Sequence, residues 1–203
     1  IAVADITAGK LVFTPAANAS GTGYASIGFK VKDNGGTANG GVDTSAEATF
    51  TVNVTSVNDA PTGANKTFNV NEDSSTTLAV TDFGFADNND LPAANALKNV
   101  IITALPTAGT LKLNGADVTA NQSIAVADIT AGKLVFAPAA NANGTGYASI
   151  GFKVQDDGGV ANSGIDTSLT ANTLTFNVAS VNDAPTATGK TLTLNEESSH
   201  TFA

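Results

Sequence analysis

The stretch YASIGFKV at residues 147–154 alternates apolar and polar side chains without a break. Its apolar positions are Ala148, Ile150, Phe152 and Val154. Alternation with a period of two, rich in β-branched and aromatic residues, predicts a strand with one buried face. The same eight letters stand at residues 24–31, so this strand occurs twice in the chain.

The duplication extends well beyond this strand. IAVADITAGKLVF stands at residues 1–13 and again at 124–136, which is 124 − 1 = 123 residues later. Only seven of the 45 aligned positions from 1/124 to 45/168 differ. After a one-residue insertion, VNDAP at 57–61 returns at 181–185, now 124 apart. Such a chain is a tandem array, and arrays more often serve reach, spacing or multivalency than chemistry.

The repeat also predicts the domain boundaries. A unit of roughly 120 residues is long enough to bury its own core, unlike a solenoid repeat. Pro61 and Pro185 lack an N–H and restrict the preceding residue, which favours a joint at each. We therefore expect a complete repeat at 58–181, the C-terminal half of a preceding repeat at 1–57, and the first strand region of the next at 182–203.

The remaining patterns predict an all-β fold. Short alternating runs surround Phe68, Leu111 and Phe176, a further strand is predicted at 83–85, and residues 124–133 allow one helical turn at most. About seven short strands separated by Gly, Asn, Asp and Pro indicate an antiparallel β-sandwich in each repeat. Half a sandwich at 1–57 would leave apolar strand faces or edges uncovered, so strand complementation by another copy of the chain is a hypothesis.

Composition excludes several classes of function. Nine Lys and Arg against 18 Asp and Glu give a net charge of −9, which argues against nucleic acid and anionic membranes as partners. No apolar run approaches the roughly 20 residues of a membrane helix. The chain has no cysteine, so disulfides are excluded, and this points towards a bacterial surface protein. Because the sequence starts and stops within a repeat, we expect it to belong to a longer protein.

Acidic and amide residues recur at fixed places in the repeat. Asn-Asp occupies the joint at 58–59 and again at 182–183, and Asn-Glu-Asp at 71–73 returns as Asn-Glu-Glu at 195–197. Asp-Asn-Asn-Asp stands at 87–90, and Asp-Asp-Gly-Gly directly follows a predicted strand at 156–159. Calcium takes six to eight oxygen ligands, and several such loops meeting at one end of a sandwich would supply them.

These motifs resemble the cadherin-like or Ig-like tandem repeats of bacterial giant adhesins, the RTX-type proteins of type I secretion. VNDAP after a strand and a strand ending in Asn-Glu-Asp carry the resemblance, and LPTAGTLKLNGADVTANQSIAVADITAGKLVF at 105–136 is also similar to chondroitin-sulfate-proteoglycan-type cadherin-like repeats. The resemblance implies a Greek-key sandwich and Ca²⁺ at the joints. The ligand positions that it implies are Asn58, Asp59, Glu72, Asp87, Asn89, Asp156, Asn182 and Asp183.

The chain departs from that family pattern in two places. Ser56 stands where an Asp is usual, and Asp128 is followed by Ile-Thr without the usual Glu. One ion per joint is therefore expected rather than three. The competing interpretation is that these Asp and Asn residues only form turns and caps, which is our interpretation of Asp43 and Asp166.

Catalysis is not expected. His200 is the only histidine, and without a His or Cys partner no serine is an activated nucleophile. The sequence predicts a structural extender or stalk repeat of an extracellular bacterial surface adhesin, stiffened by Ca²⁺ and in contact with neighbouring repeats of the same chain. Two alternatives stay open: a subunit of an extracellular filament or sheath built by strand exchange or lateral contacts, and a glycan-binding repeat.

Overall fold

The computed structural model describes residues 1–90 and 93–202, and most of its regular structure is β-strand. The strands are β1 (Gly21–Phe29), β2 (Ala48–Val54), β3 (Lys66–Asn71), β4 (Thr76–Thr77), β5 (Leu97–Ala104), β6 (Thr110–Leu113), β7 (Ala116–Asp117), β8 (Ser123–Ala125), β9 (Leu134–Ala137), β10 (Gly144–Asp156) and β11 (Asn172–Ala179). The short helices are α1 (Val3–Thr7) and α2 (Val126–Thr130), with 3₁₀ turns at Ala38–Gly40, Val80–Phe83 and Ala161–Ser163. The predicted all-β class is confirmed.

The strands form two larger sheets and one hairpin. The five-stranded sheet has the order β3-β11-β10-β5-β8, the four-stranded sheet has the order β4-β9-β6-β7, and β1 pairs with β2 alone. Within the described residues, β11 and β3 are parallel and the other strand pairs are antiparallel. The predicted antiparallel pairing therefore holds for the other strand pairs of the described residues but not at this edge, where the first strand of the unit lies alongside its last strand in the same direction.

One hydrophobic core takes side chains from both larger sheets. Phe152 and Phe176 of the five-stranded sheet and Phe136 of the four-stranded sheet are completely buried. The rings of Phe136 and Phe176 stack with centroids 3.9 Å apart, and Phe68 stacks on Phe176 at 4.9 Å. Burying a phenylalanine contributes about 1.5–3 kcal/mol, so these rings are major contributors to folding. The two sheets are thus held together by one aromatic cluster.

Residues 1–57 repeat the local structure of the second copy without its burial. The hairpin β1–β2 has the same register as β10–β11, and α1 repeats α2. Ile129 of α2 is buried, whereas its counterpart Ile6 in α1 is exposed. Within residues 1–57 no side chain is buried. Closely similar local sequence therefore forms the same hairpin and helical turn, and the core depends on the strands that pack around them.

The strand predicted at 83–85 is wrong. Residues Val80–Phe83 form a 3₁₀ turn that Gly84 ends in the left-handed region with φ 55°. Asp82 fixes the turn, since its Oδ2 accepts a hydrogen bond from Ala79 N at 2.7 Å and its Oδ1 pairs with Lys66 Nζ at 2.5 Å. The chain then makes a single antiparallel bridge between Thr62 and Ala86, directly before Asp87.

Candidate cation site

A group of acidic and amide side chains lies where β10 ends and the chain enters the unit. Asp156 is the last residue of β10 and keeps the strand's inward register, so a carboxylate lies on the core face after Val154. Its exposed fraction is 0% and that of Asp87 is 5%. Isolated buried carboxylates are costly, so such positions need hydrogen bonds, a proton or a cation.

Each of these two carboxylates has one bonded oxygen and one oxygen without a partner. Asp156 Oδ1 accepts hydrogen bonds from Asn58 Nδ2 at 3.1 Å and from Gly158 N at 2.9 Å. Asp87 Oδ2 accepts from Asn95 N at 2.6 Å. Among residues 1–90 and 93–202, the buried side-chain polar atoms without a hydrogen-bond partner are Asp156 Oδ2 and Asp87 Oδ1. Buried polar groups are normally satisfied, so these two oxygens call for an explanation.

A network of amides and backbone groups holds the surroundings in place. Asn58 and Ile165 exchange two hydrogen bonds that hold Asn58 beside Asp156. Asn58 Nδ2 donates to Ile165 O at 2.8 Å, and Ile165 N donates to Asn58 O at 2.9 Å. Asn95 Nδ2 donates to Asn58 Oδ1 and, at 3.1 Å, to Asp90 Oδ2. Asp90, itself buried, accepts from Asp59 N at 3.1 Å. The joint residues 58 and 59 are thereby connected to the body of the unit.

Burial and like charges raise the pKa of both carboxyls. For Asp87 the largest cause of the raised pKa is desolvation, and the nearby charges of Asp90 and Asp156 raise it further. For Asp156 desolvation again raises the pKa most, with Asp166 and Asp90 adding repulsion against the hydrogen bonds from Gly158 and Asn58. The ion pairs of the described residues involve other carboxylates. The carboxylates of this group thus repel one another without a cationic side chain beside them.

The donors present fit a hard cation only if amide oxygens take part. Within the described part of the chain, no three His, Cys, Asp or Glu side chains lie close enough together to hold a metal by themselves. The two unpartnered carboxylate oxygens and the Asn58 amide oxygen are the hard ligands that calcium accepts, and its shell is often completed by carbonyls and water. The group therefore has the chemistry of a cation site with few protein ligands.

The structure brings together only some of the predicted ligand residues. Asn58, Asp87 and Asp156 share this network. Asp59 and Asn89 line a partly open cavity of about 220 Å³ between the joint and residues 15–20, which Asp90 of the network also lines. Asn182 and Asp183 are exposed, and Asn182 Nδ2 donates to Asp183 O at 3.2 Å, so neither reaches the network.

Glu72 lies at the other end of the unit. Its carboxylate accepts hydrogen bonds from Val181 N at 2.8 Å, Ser180 Oγ at 3.1 Å and Asn143 Nδ2 at 3.2 Å. The bond from Val181 is the main cause of its lowered pKa. Glu72 is buried and fastens the segment that leaves β11. In this structure it serves as an anchor for the chain exit, apart from the cluster around Asp156.

Sequence reasoning missed Asp90, Asn95 and Asp157. Asp90 and Asp157 belong to acidic runs that it had singled out, so a signal existed for both. Asp157 Oδ1 accepts from Ala96 N at 2.8 Å, which ties the loop before β5 to the end of β10. Asn95 had no such signal, because its role depends on a loop that folds back over Asn58.

Comparison of the chain with protein-family models, with curated proteins and with solved structures gave no match. Among the helices in the described residues, none has the length and apolar character needed to cross a bilayer. The functional interpretation therefore depends on the geometry of the network itself and on the repeat.

Proposed function

We propose that residues 58–181 form one complete β-sandwich repeat of the cadherin-like or Ig-like Greek-key kind. The support is that two sheets share one core and that the buried hydrophobic residues of the described chain lie between positions 78 and 178. In this proposal residues 1–57 and 182–203 belong to the flanking repeats. Repeats joined end to end would make an extended rod.

The network around Asp156 is, in this proposal, a Ca²⁺ site at the entrance to each repeat. The observation that carries it is the pair of buried, unpartnered oxygens on Asp87 and Asp156, each on a carboxyl whose pKa is raised. A divalent cation would supply the missing positive charge, and hard oxygen donors favour calcium over softer metals.

The site connects to the joint through Asn58 and Asp59. Asn58 donates to Asp156, and Asp59 N donates to Asp90, so both residues of the Asn-Asp joint are bonded to members of the network. When the carboxylates repel one another, these bonds weaken and the joint gains freedom. With the charge neutralised by calcium, the same bonds hold the joint in one orientation. The mechanism is electrostatic stiffening of a linker.

This arrangement supports a structural role rather than catalysis. The carboxylates with raised pKa are buried in a hydrogen-bonded end of the unit, where a substrate would have to displace the joint itself. A near-identical repeat with a stiffened joint is suited to an extender or stalk of an extracellular bacterial surface adhesin. Such a stalk keeps a binding region away from the cell without itself performing chemistry.

Chelation provides the test. Small-angle scattering of the chain in Ca²⁺ and in EDTA compares its largest dimension, and calorimetry compares Tm under the same conditions. The proposal predicts that the natural chain is shorter and has a lower Tm in EDTA than in Ca²⁺. Neither difference should be seen with Asp156→Asn. Identical curves with and without calcium for the wild-type chain would contradict it.

A further inference from the structure

The differences between the two copies of the repeat are concentrated beside the joint. Five of the seven differing positions lie within residues 155–165, at the end of β10 and in the loop that follows it. This segment surrounds Asn58, which exchanges hydrogen bonds with Ile165 and would meet a Cβ placed on Gly158 or Gly164. The two copies therefore share their core sequence and differ mainly around the network that includes Asp156.

Two of these differences change the charge around that network. The four positions concerned are Lys32, Asp33, Asn34 and Asp43 in the first copy and Gln155, Asp156, Asp157 and Asp166 in the second. One lysine and two aspartates give the first set a net charge of −1, whereas three aspartates give the second set −3. The second loop is thus more negative by two charges.

The backbone of the loop is held in the same way in both copies. Asp33 N donates to Asp43 O at 3.0 Å, and Asp156 N donates to Asp166 O at 2.8 Å. In each copy the carboxylate that begins the loop also accepts a hydrogen bond from the N–H two residues further on. Since these bonds are the same, the copies differ in charge rather than in the path of the loop.

Position 155 decides whether a carboxylate near the network is neutralised. In the first copy Lys32 Nζ pairs with Asp43 Oδ2 at 3.1 Å, and this ammonium is the main cause of the lowered pKa of Asp43. In the second copy a neutral amide takes its place, because Gln155 Nε2 donates to Asp166 Oδ2 at 2.9 Å. The charge of Asp166 then acts on Asp156 and helps to raise the pKa of that carboxyl.

Position 157 adds a further negative charge close to Asp87. Asp157 Oδ1 accepts a hydrogen bond from Ala96 N at 2.8 Å, and Asp87 Oδ2 accepts one from Asn95 N at 2.6 Å. Two successive N–H groups of one segment therefore hold these two carboxylates. The first copy has Asn34 at this position, an amide that can accept the same hydrogen bond without the charge.

We propose that the residues at positions 155 and 157 set the calcium affinity of the joint at the entrance to each repeat. This inference rests on the calcium site proposed above, and it assigns these two side chains an effect through their charge rather than a place among the ligands. The charge count of an oxygen site is a main determinant of its affinity for calcium. A repeat with Gln and Asp holds the ion tightly and one with Lys and Asn holds it weakly, so successive joints stiffen at different calcium concentrations.

Exchanging the charges of the two copies is the experiment. Gln155→Lys/Asp157→Asn gives the second loop the charge of the first, and calorimetric titration with Ca²⁺ measures binding to the 203-residue chain. A unit charge within several Å of a divalent ion changes its Kd by about tenfold, so the double variant should bind about a hundredfold more weakly. The control Asp117→Asn/Asp128→Asn changes the net charge equally, at surface ion pairs with lysines, and should keep the Kd within about twofold.

The outcomes separate this inference from the calcium site itself. If the natural chain binds calcium and Gln155→Lys/Asp157→Asn binds it equally well, the inference is overturned and the calcium site stands. If the natural chain binds no calcium, both are overturned. Weakening in the control as large as in the double variant would show an effect of net charge alone and would also overturn the inference.

Three readouts distinguish the effect of charge from damage to the loop. Gln155→Met removes the hydrogen bonds without adding charge and should weaken binding far less than Gln155→Lys. In 1 M NaCl, where the screening length is about 3 Å, the penalty of Gln155→Lys should shrink several-fold. In EDTA, Gln155→Lys should raise Tm, because the lysine relieves repulsion among the carboxylates. Equal weakening by Met and Lys, a penalty independent of salt, or a lower Tm in EDTA would each overturn the inference.

Discussion

Asn58 Nδ2 donates to Asp156 Oδ1 at 3.1 Å across 98 residues of sequence, while Oδ2 of the same carboxylate is buried with no partner. The bond connects the joint between repeats to the last residue of the central strand β10. One oxygen of the carboxylate is thus used to hold the joint, and the other has no hydrogen-bond partner among the described residues. The calcium proposal and the predictions below start from this asymmetry.

Neutralising Asp156 should have opposite effects with and without calcium. In EDTA, Asp156→Asn removes a buried charge whose pKa is raised, so we expect the free energy of unfolding to increase. When Ca²⁺ is present at 100 times its Kd, binding should raise the free energy of unfolding of the natural chain by about 2.7 kcal/mol, and the variant should lose this increase. Thermal unfolding in both buffers measures this. Asp128→Asn, at an exposed ion pair with Lys133, is the control and should keep the calcium response.

The pH dependence of stability in EDTA should carry the sign of a raised pKa. Asp87 and Asp156 bind protons more tightly in the folded state than at their ordinary pKa of 3.8. Their stabilising protonation is therefore lost, and the free energy of unfolding falls, as the pH rises from 3.8 through their raised pKa values. Urea unfolding at a series of pH values should show this slope, and Asp87→Asn/Asp156→Asn should remove it.

Glu72 should act in the opposite sense and in a lower pH range. Its pKa is lowered from 4.5, chiefly by the hydrogen bond from Val181 N. Its contribution to stability is therefore complete above pH 4.5 and is lost as the pH falls through its folded-state pKa. Glu72→Gln should flatten the acid side of the stability curve and leave the calcium response of the chain intact. A variant that lost calcium binding as well would show that this anchor is also part of the cation site.

Gly158 offers a steric test with a matched control in the same chain. A Cβ on Gly158 would overlap the Asn58 side-chain amide and crowd that of Asn95, so Gly158→Ala should displace the joint. We expect the free energy of unfolding to fall by about 1–3 kcal/mol and the stabilisation by calcium to become weaker. Its counterpart Gly35→Ala meets only Asp33 Oδ1 at 3.2 Å and should change the stability by less than about 0.5 kcal/mol. Equal losses in denaturant unfolding would contradict the site geometry.

The two copies of one phenylalanine test where the core lies. Phe136 is completely buried and stacks on Phe176, so Phe136→Ala should cost about 3–5 kcal/mol in urea unfolding. Phe13, its counterpart, is 42% exposed and contacts Tyr24 at 6.2 Å between centroids. Phe13→Ala should lower the stability of the main transition by less than about 1 kcal/mol. Similar losses would show that residues 1–57 have a core of their own.

Local patterns in the sequence predicted several of the strands and part of the site. Alternation predicted the inward face of β10, and continuing it by one step places Asp156 in the core register. The 3₁₀ turn at Val80–Phe83 was missed because the Asp82 side chain, bonded to Ala79 N and Lys66, overrides a strand-like sequence.

Long-range relationships were beyond the reach of the pattern. The parallel pairing of β3 with β11 joins Lys66 to Leu174, and nothing near either residue specifies the direction of the partner strand. The same holds for Asn95, which enters the site only because its loop folds over Asn58. The resemblance assigned Glu72 to the joint at the far end of the unit, at 182–183, and its carboxylate does lie there, bonded to Val181 and Ser180 directly before that joint.

Calorimetric titration of the 203-residue chain with Ca²⁺ tests the central claim most directly. The account predicts saturable binding at one site per chain, with proton release that increases below neutral pH because the carboxyls with raised pKa must ionise. It also predicts that Asp156→Asn abolishes this binding and that Asp128→Asn preserves it. Absence of binding to the natural chain, or undiminished binding to Asp156→Asn, would contradict the account.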